Sequence, residues 1–282
     1  MQKRPKAYLF DIFGTVVNWR YSLAKGLEAS ARKVIEEGAS SVVDAAVLER
    51  ARAMTFSDWE WFAFQWYQRY INSRAVSEKK GSDGDDDKQP SGEKMAAGFV
   101  HQEELHKRNL ATLIAEFQLE GLWTTPAQTD QLVHLWHELD AWPDSAEAIA
   151  RFAKLGPAAA LSDGSVALLT DIDTRNGLKF DEIWGSDTWM AYKPDPSVYL
   201  GAVKKLGLEY EEVALVAAHL GDLWGAKQCG LKALYVERPF EERYSEKEIE
   251  EAGRDGWVDM WVPYAPGKGL LGVVEGLERM EM

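Results

Sequence analysis

Cysteine is all but absent. Cys229 is the single thiol in 282 residues, which rules out a disulfide within the chain and fits a reducing interior. It falls in a stretch of helical character and reads as a small buried hydrophobe, not as a nucleophile. Also missing is an uninterrupted apolar run of about 20 residues, so there is no candidate membrane span. The opening MQKRPK is basic, yet a strand pattern follows it where a signal peptide would carry an apolar core. A cytoplasmic setting is therefore expected. Basic residues are outnumbered, 32 Lys and Arg against 46 Asp and Glu, for a net charge of −14. That balance argues against nucleic acid, because binding phosphates requires clustered cations. The expected partner is a small molecule, with no nucleic acid and no membrane.

Some of the acidity is local. The stretch SEKKGSDGDDDKQPSGEK, 77–94, contains no apolar residue and reads as a solvated, disordered loop. Asp83, Asp85, Asp86 and Asp87 lie within it, without the spacing of a calcium loop. The whole chain, 46% hydrophobic and 11% aromatic, is globular in composition and long enough to bury a sizeable core.

Short β-rich runs alternate with amphipathic helical stretches, the pattern of a parallel sheet with crossover helices. The expected strands are Lys6–Phe10, Ala158–Leu161, Glu182–Trp184, Val213–Ala217, Lys232–Val236 and Met260–Val262. From Val17 to Trp142 the pattern is helical throughout, with DAAVLERARAMTFSDWEWFAFQWYQRYIN as one of its stretches. The expected fold class is α/β: a doubly wound, Rossmann-like core from 1–16 and 143–282, with an all-helical cap inserted over 17–142. Open α/β sheets bind ligands beyond the carboxyl ends of their strands, so those ends hold the candidate site residues.

Four strand ends carry polar chemistry. The first, in YLFDIFGTVVNW, gives Asp11 and then Gly14 and Thr15. The second, LSDGS, gives Ser162. The segment YKPDPSVY gives Lys193 and Tyr199, and VAAHLGDLWGA gives His219 and Asp222. A carboxylate at a strand end can attack carbon or phosphorus and form an ester or acyl phosphate. It needs a cation to keep it ionised, for which Lys193 is the candidate. Thr15 or Ser162 can donate to oxygens of the nucleophile or substrate, and Asp222 can activate the water that opens the intermediate.

In this order the four segments resemble the haloacid dehalogenase superfamily. FDIFGTVVNWR, LSDGSVALL, YKPDPSVYL and VAAHLGDLWGAKQCGLKALYVERP are most similar to its type II L-2-haloacid dehalogenase branch, within the members whose fourth motif reads VAAH. ELHKRNLATLIAEF and HELDAWPDS in the helical insert match as well. Phosphatases of the superfamily place a leaving-group acid two residues after the nucleophile, where this chain has Phe13. They hold Mg²⁺ with two acids of the fourth motif; Asp222 matches the later one, and the earlier position is Ala217. A halide leaves without a proton, so the resemblance implies hydrolytic dehalogenation of L-2-haloacids to 2-hydroxy acids, with no metal and no other cofactor. It implies that Asp11 is alkylated, that Lys193 pairs with it, and that Thr15 and Ser162 anchor nucleophile and substrate carboxylate. Asp222, with His219, would guide water. Phe13, Tyr199 and His219 would line the substrate site. Relatives of the branch are commonly dimers, so a homodimer is expected.

The chain departs from the branch in the cap. Where an Arg normally draws off the halide, MTFSDWEWFAFQWYQRY offers Glu60 or Trp61, with Arg52, Arg69 and Arg20 as possible replacements. Like charges about 4 Å apart repel by roughly 4 kcal/mol at an effective dielectric near 20. Trp59, Trp61, Phe62, Phe64, Trp66, Tyr67 and Tyr70 crowd the same helix. Most are expected in the core, while Trp59 and Trp61 are candidates to line a substrate pocket. Three rivals remain: a repurposed enzyme of this fold acting on a bulkier, non-halogenated substrate, a phosphatase, and a binding protein without turnover. The pairs His101/His106 and His134/His137 read as structural, and Arg238 as a surface charge.

Overall fold

The computed structural model describes residues 3–36, 43–82 and 99–280. The chain divides into two compact units, Met1–Asn18 with Asp140–Met282, and Trp19–Leu139. The first is an α/β unit. Its strands are β1 (Ala7–Phe10), β2 (Ala158–Leu161), β3 (Glu182–Trp184), β4 (Val213–Ala217), β5 (Lys232–Val236) and β6 (Met260–Val262). All pair in parallel, in the order β3-β2-β1-β4-β5-β6. The strands match those expected from sequence, except that Lys6 lies outside β1.

Every residue of β1 is fully buried, as both-sided coverage of a parallel sheet requires. Alternation assigns its side chains. Ala7 and Leu9 pack with Tyr199, Ala202 and Val203 of helix Pro196–Leu206 and with Leu223 and Ala226 of helix Leu220–Gln228. On the opposite face the rings of Tyr8 and Phe10 each meet Phe152, from helix Ser145–Phe152, edge-on at 4.9 Å. The sheet is thus wound on both faces. Its direction of winding reverses between β1, followed in sequence by β2, and the neighbouring β4.

That reversal point carries a tight loop after β1. Asp11 N–H still donates to Val216 O at 3.1 Å, and the chain then closes on itself through Val16 N–H to Ile12 O. Gly14 has φ +82°, a left-handed conformation that favours glycine. Three successive carbonyls of the loop are each taken by a side chain. Trp142 Nε1 donates to Gly14 O at 2.9 Å, Arg238 Nε to Thr15 O at 3.0 Å and Ser145 Oγ to Val16 O at 2.7 Å. Since an unpaired buried carbonyl is costly, these donors fix the loop in one shape. Arg238, expected as a surface charge, is buried; its guanidinium forks onto Asp144 at 2.8 and 3.0 Å and lies 5.1 Å from the Trp142 ring.

The unit boundaries, 18/19 and 139/140, enclose a shorter insert than the 17–142 expected. The difference arises because Val17 bridges Ala141, and Asn18 N–H donates to Asp140 O, so these residues pair as extended chain within the α/β unit.

Among its described residues the second unit is helical: Trp19–Glu36, Ala45–Ala53, Phe56–Ser82, Gln102–Glu116, Pro126–His134 and a short 3-10 turn, Leu135–His137. The long stretch expected as continuous helix is broken at Met54–Thr55. There Asp58 Oδ2 accepts from both the backbone N–H and hydroxyl of Thr55, restarting the helix by a local cap. This helix then runs to Ser82, so 77–82 are helical where loop was expected; 83–94, including the four aspartates, lie outside the described residues. Trp59, Phe62, Trp66 and Tyr70 form a buried stripe at helical spacing. His106, fully buried, stacks on Trp136 at 3.9 Å, and burial pushes its pKa well below the ordinary histidine value. None of the described helices is long and apolar enough to cross a membrane.

The Asp144–Arg238 pair gives a stability prediction. Asp144→Ala leaves a buried guanidinium uncompensated, and urea unfolding should show a loss of about 3–5 kcal/mol. A loss below about 1 kcal/mol would mean that the pair does not hold the loop.

Candidate active site

The α/β unit brings Asp11, Thr15, Lys193, Tyr199, His219 and Asp222 into one hydrogen-bonded cluster. Asp11 stands at the end of β1, and His219 and Asp222 follow β4, the adjacent strand. Lys193 precedes helix Pro196–Leu206, and its backbone N–H is tied to Asp163 Oδ1 at 2.8 Å.

Lys193 Nζ lies between two carboxylates, 2.8 Å from Asp11 Oδ1 and 2.5 Å from Asp222 Oδ2. All three side chains are nearly inaccessible to solvent. The other oxygen of Asp11 has two partners. Thr15 Oγ1 donates to Oδ2 at 2.7 Å, and His219 Nδ1 lies 3.0 Å from it. Thr15 is oriented from behind, because its oxygen accepts Ala218 N–H at 2.8 Å, which turns its own hydrogen toward Asp11. Tyr199, fully buried, donates its hydroxyl to Asp222 Oδ1 at 2.7 Å. It therefore supports the second acid, itself bonded to Lys193, while the resemblance implies a place lining the substrate site.

These contacts separate the two acids electrostatically. Burial alone would raise the pKa of Asp11, but the Lys193 ammonium and the His219 ring outweigh it and carry the carboxyl below the usual carboxylate range. For Asp222, burial and the Asp11 charge prevail over Lys193, and its pKa lies above the ordinary value. Burial works against the ammonium of Lys193, yet the flanking aspartates raise its pKa above that of a free lysine. Burial, then the Asp222 charge, pushes the Tyr199 phenol up. The arrangement is one of an ionised first acid and a second acid better suited to accept a proton.

The other expected residues fall as follows. Ser162 is buried at the end of β2, but its Oγ faces Gly164 N at 3.5 Å, a long contact. Phe13 is buried beside the β1 loop. Trp59 belongs to the core of the helical unit, with its ring 6.1 Å from that of Phe62. Trp61 is exposed and stacks on Phe64. Within that unit Arg69 pairs with Glu116, and Arg20 lies over the Phe64 ring at 4.9 Å. Two residues near the cluster escaped the sequence reading. Glu241, after β5, places Oε2 3.6 Å from His219 Nε2. Glu242 accepts Leu220 N–H at 2.8 Å, capping the helix that carries Asp222. A polar segment directly after β5, ERPFEER, was the available signal for both.

The description haloacid dehalogenase-like hydrolase belongs to a family whose model matches residues 5–230 of this chain. The chain is a member of that family. An (S)-2-haloacid dehalogenase 4A from Burkholderia cepacia is 32% identical over 112 residues, 39% of this chain and 48% of the relative. This chain thus spans about half the length of the curated relatives it matches. A phospholysine phosphohistidine inorganic pyrophosphate phosphatase from Xenopus laevis is 35% identical over 68 residues, about a quarter of each chain (24% and 25%). Among solved structures, an L-2-haloacid dehalogenase superposes with a TM-score of 0.70 at 28% identity, covering 97% of this chain and 99% of the other. Family membership gives the chain the fold of the haloacid dehalogenase-like hydrolases.

Some members of the superfamily use a divalent cation, and the donors here do not suit one. Ala217 occupies the earlier acid position of the fourth motif, and the ammonium of Lys193 already bonds both Asp11 and Asp222. Among the described residues no three His, Cys, Asp or Glu side chains gather in a metal-holding group.

A depressed carboxyl stabilises the fold above its unfolded pKa of about 4, and loses that contribution as pH falls through the folded value. The ¹³C carboxyl signal of Asp11 should therefore stay that of the anion from pH 7 down through pH 4. In Lys193→Met, with the ammonium gone and burial opposed by the His219 ring alone among the charged neighbours, Asp11 should titrate above wild type. Coincident titrations in the two proteins would contradict the assigned cause.

Proposed function

We propose that this chain hydrolyses the carbon–halogen bond of small (S)-2-haloacids through an ester on Asp11. The observation that carries this reading is the unequal solvation of the Asp11 oxygens. Oδ2 has two partners, Thr15 and His219, whereas Oδ1 has Lys193. Oδ1 thus keeps a lone pair for attack while the ammonium holds the group ionised. Phe13, where the superfamily's phosphatases place a leaving-group acid, is consistent with a leaving group that departs as a stable anion.

In the first step Oδ1 forms a bond to C2 of the substrate from behind, and the halide leaves with the bonding pair. In the second, water attacks Cγ of Asp11 while Asp222 takes its proton, helped by an acid pKa above the ordinary value. The Cγ–Oδ1 bond then breaks, and Asp222 returns the proton to the departing alkoxide. The products are a 2-hydroxy acid and, after a proton passes to solvent, the Asp11 carboxylate. Tyr199 and Lys193 hold Asp222 in place throughout. No metal enters this scheme.

One feature favours a second reading in which the same aspartate acts on a bulkier, non-halogenated substrate. The cap segment that resembles the halide-binding stretch of the branch has Glu60 where a cation is expected, next to the exposed Trp61.

Chloride release from (S)-2-chloropropionate tests the leading reading. Wild type should release chloride without added metal, and Asp11→Asn should fall to the uncatalysed rate. Failure of a folded wild type to release halide from any short 2-haloacid would turn the assignment to the second reading. Magnesium-dependent hydrolysis of a phosphate ester, abolished in Asp11→Asn, would make it a phosphatase.

A further inference from the structure

The mechanism above leaves Glu241 without a task, although it is a buried carboxylate at the edge of the site. Its place is built by several elements. The left-handed Gly14 lacks the side chain that would block it: a Cβ there would lie 2.2 Å from Glu241 Oε2. Arg238, three residues earlier, bonds Thr15 O and Asp144 and so fastens the Glu241 segment onto the β1 loop. The carboxylate reaches His219 Nε2 at 3.6 Å, while Nδ1 of the same ring meets Asp11 Oδ2 at 3.0 Å. His219 thus lies between two carboxylates.

The charges packed around the ring are predominantly negative. Asp11 and Glu241 contact it directly. Lys193, on the far oxygen of Asp11, opposes the charge but is shared with Asp222. Asp222 lies further along the same helix, bonded to Lys193 and Tyr199. Glu242 caps the helix at Leu220 N, and Tyr244 lies near Gly221. When Asp11 becomes an ester it loses its charge, and Glu241 is then the anion left in contact with the ring.

We propose that Glu241 is a positioning residue that keeps His219 protonated while Asp11 is esterified, so that His219 Nδ1–H and the Thr15 hydroxyl stabilise the oxyanion formed on Oδ2. This rests on the aspartyl-ester reading. In the step concerned, the oxygen of water bonds to Cγ, the carbonyl π pair moves onto Oδ2, and Asp222 takes the water proton. Both donors are already aimed at Oδ2 and need no rearrangement. Glu241 touches no reacting atom; it acts through the imidazole.

Two measurements on Glu241→Gln test this role. In single-turnover quench experiments with (S)-2-chloropropionate, chloride release should keep its wild-type rate within about threefold. Hydrolysis of the adduct, followed by intact mass, should slow about tenfold or more, less than the roughly 10²–10³-fold cost of removing an oxyanion donor outright, since the His219 ring is weakened as a donor and not removed. In the ligand-free protein, ¹⁵N imidazole signals should show His219 losing its proton at lower pH than in wild type. Glu241→Asp, which keeps the charge, should restore both readouts in part. In a His219→Gln background, Glu241→Gln should have little further effect. An unchanged His219 titration together with unchanged adduct hydrolysis would overturn the inference. If wild type forms no adduct, the ester reading itself fails and this role falls with it. If wild type forms the adduct and Glu241→Gln hydrolyses it normally, this inference alone fails.

Discussion

A single buried ammonium shared by two carboxylates is the constraint on which the site depends. Lys193 bonds Asp11 and Asp222 in a place that water barely reaches. Removing three charges from water costs several kcal/mol for each ion, so the cluster persists only with its hydrogen bonds nearly complete. Thr15, His219 and Tyr199 supply them. One cation cannot satisfy two acids equally, and the division is uneven: Asp11, with Thr15 and His219 added, is held as the anion, while Asp222 is the readier proton acceptor. Two like residues thereby acquire different chemical characters from their surroundings alone.

The fold supplies the rigidity that this division needs. Asp11 ends a fully buried strand at the centre of the sheet, and the loop after it has three successive carbonyls occupied by Trp142, Arg238 and Ser145. The same arginine ties in Asp144, whose carboxylate also accepts Leu270 N–H at 2.6 Å. The loop that aims Thr15 is thus fixed by residues drawn from far along the chain. Stability and chemistry share these contacts, because a loosened loop would move Thr15 away from Asp11.

Much of this was legible in the sequence. The strands are short, apolar and bounded by turn residues, and the alternation with helical stretches places them in one parallel sheet. Asp11, Lys193 and Asp222 were legible because four polar segments follow expected strands in one order; any one alone reads equally as a turn or a helix cap. Other features were hidden because their partners are distant. Arg238 looked like a surface charge, as nothing nearby in sequence indicates that Asp144 neutralises it 94 residues away. Glu241 lay in a charged segment that resembles solvated loop, and only the space above Gly14 reveals its burial. The break at Thr55 was concealed by helix-forming neighbours on both sides; the cap from Asp58 decides it. Trp61 and Phe64 looked alike with the buried aromatics around them, but helical spacing leaves both outside the stripe of Trp59, Phe62, Trp66 and Tyr70.

The central claim is that an oxygen of Asp11, not water, forms the first bond to the substrate. A single turnover in H₂¹⁸O with enzyme in excess over (S)-2-chloropropionate tests it most directly. The account predicts ¹⁸O in the Asp11 carboxylate, detected in the peptide that contains it, and unlabelled 2-hydroxypropionate. Label found in the product alone, with Asp11 unlabelled, would contradict it.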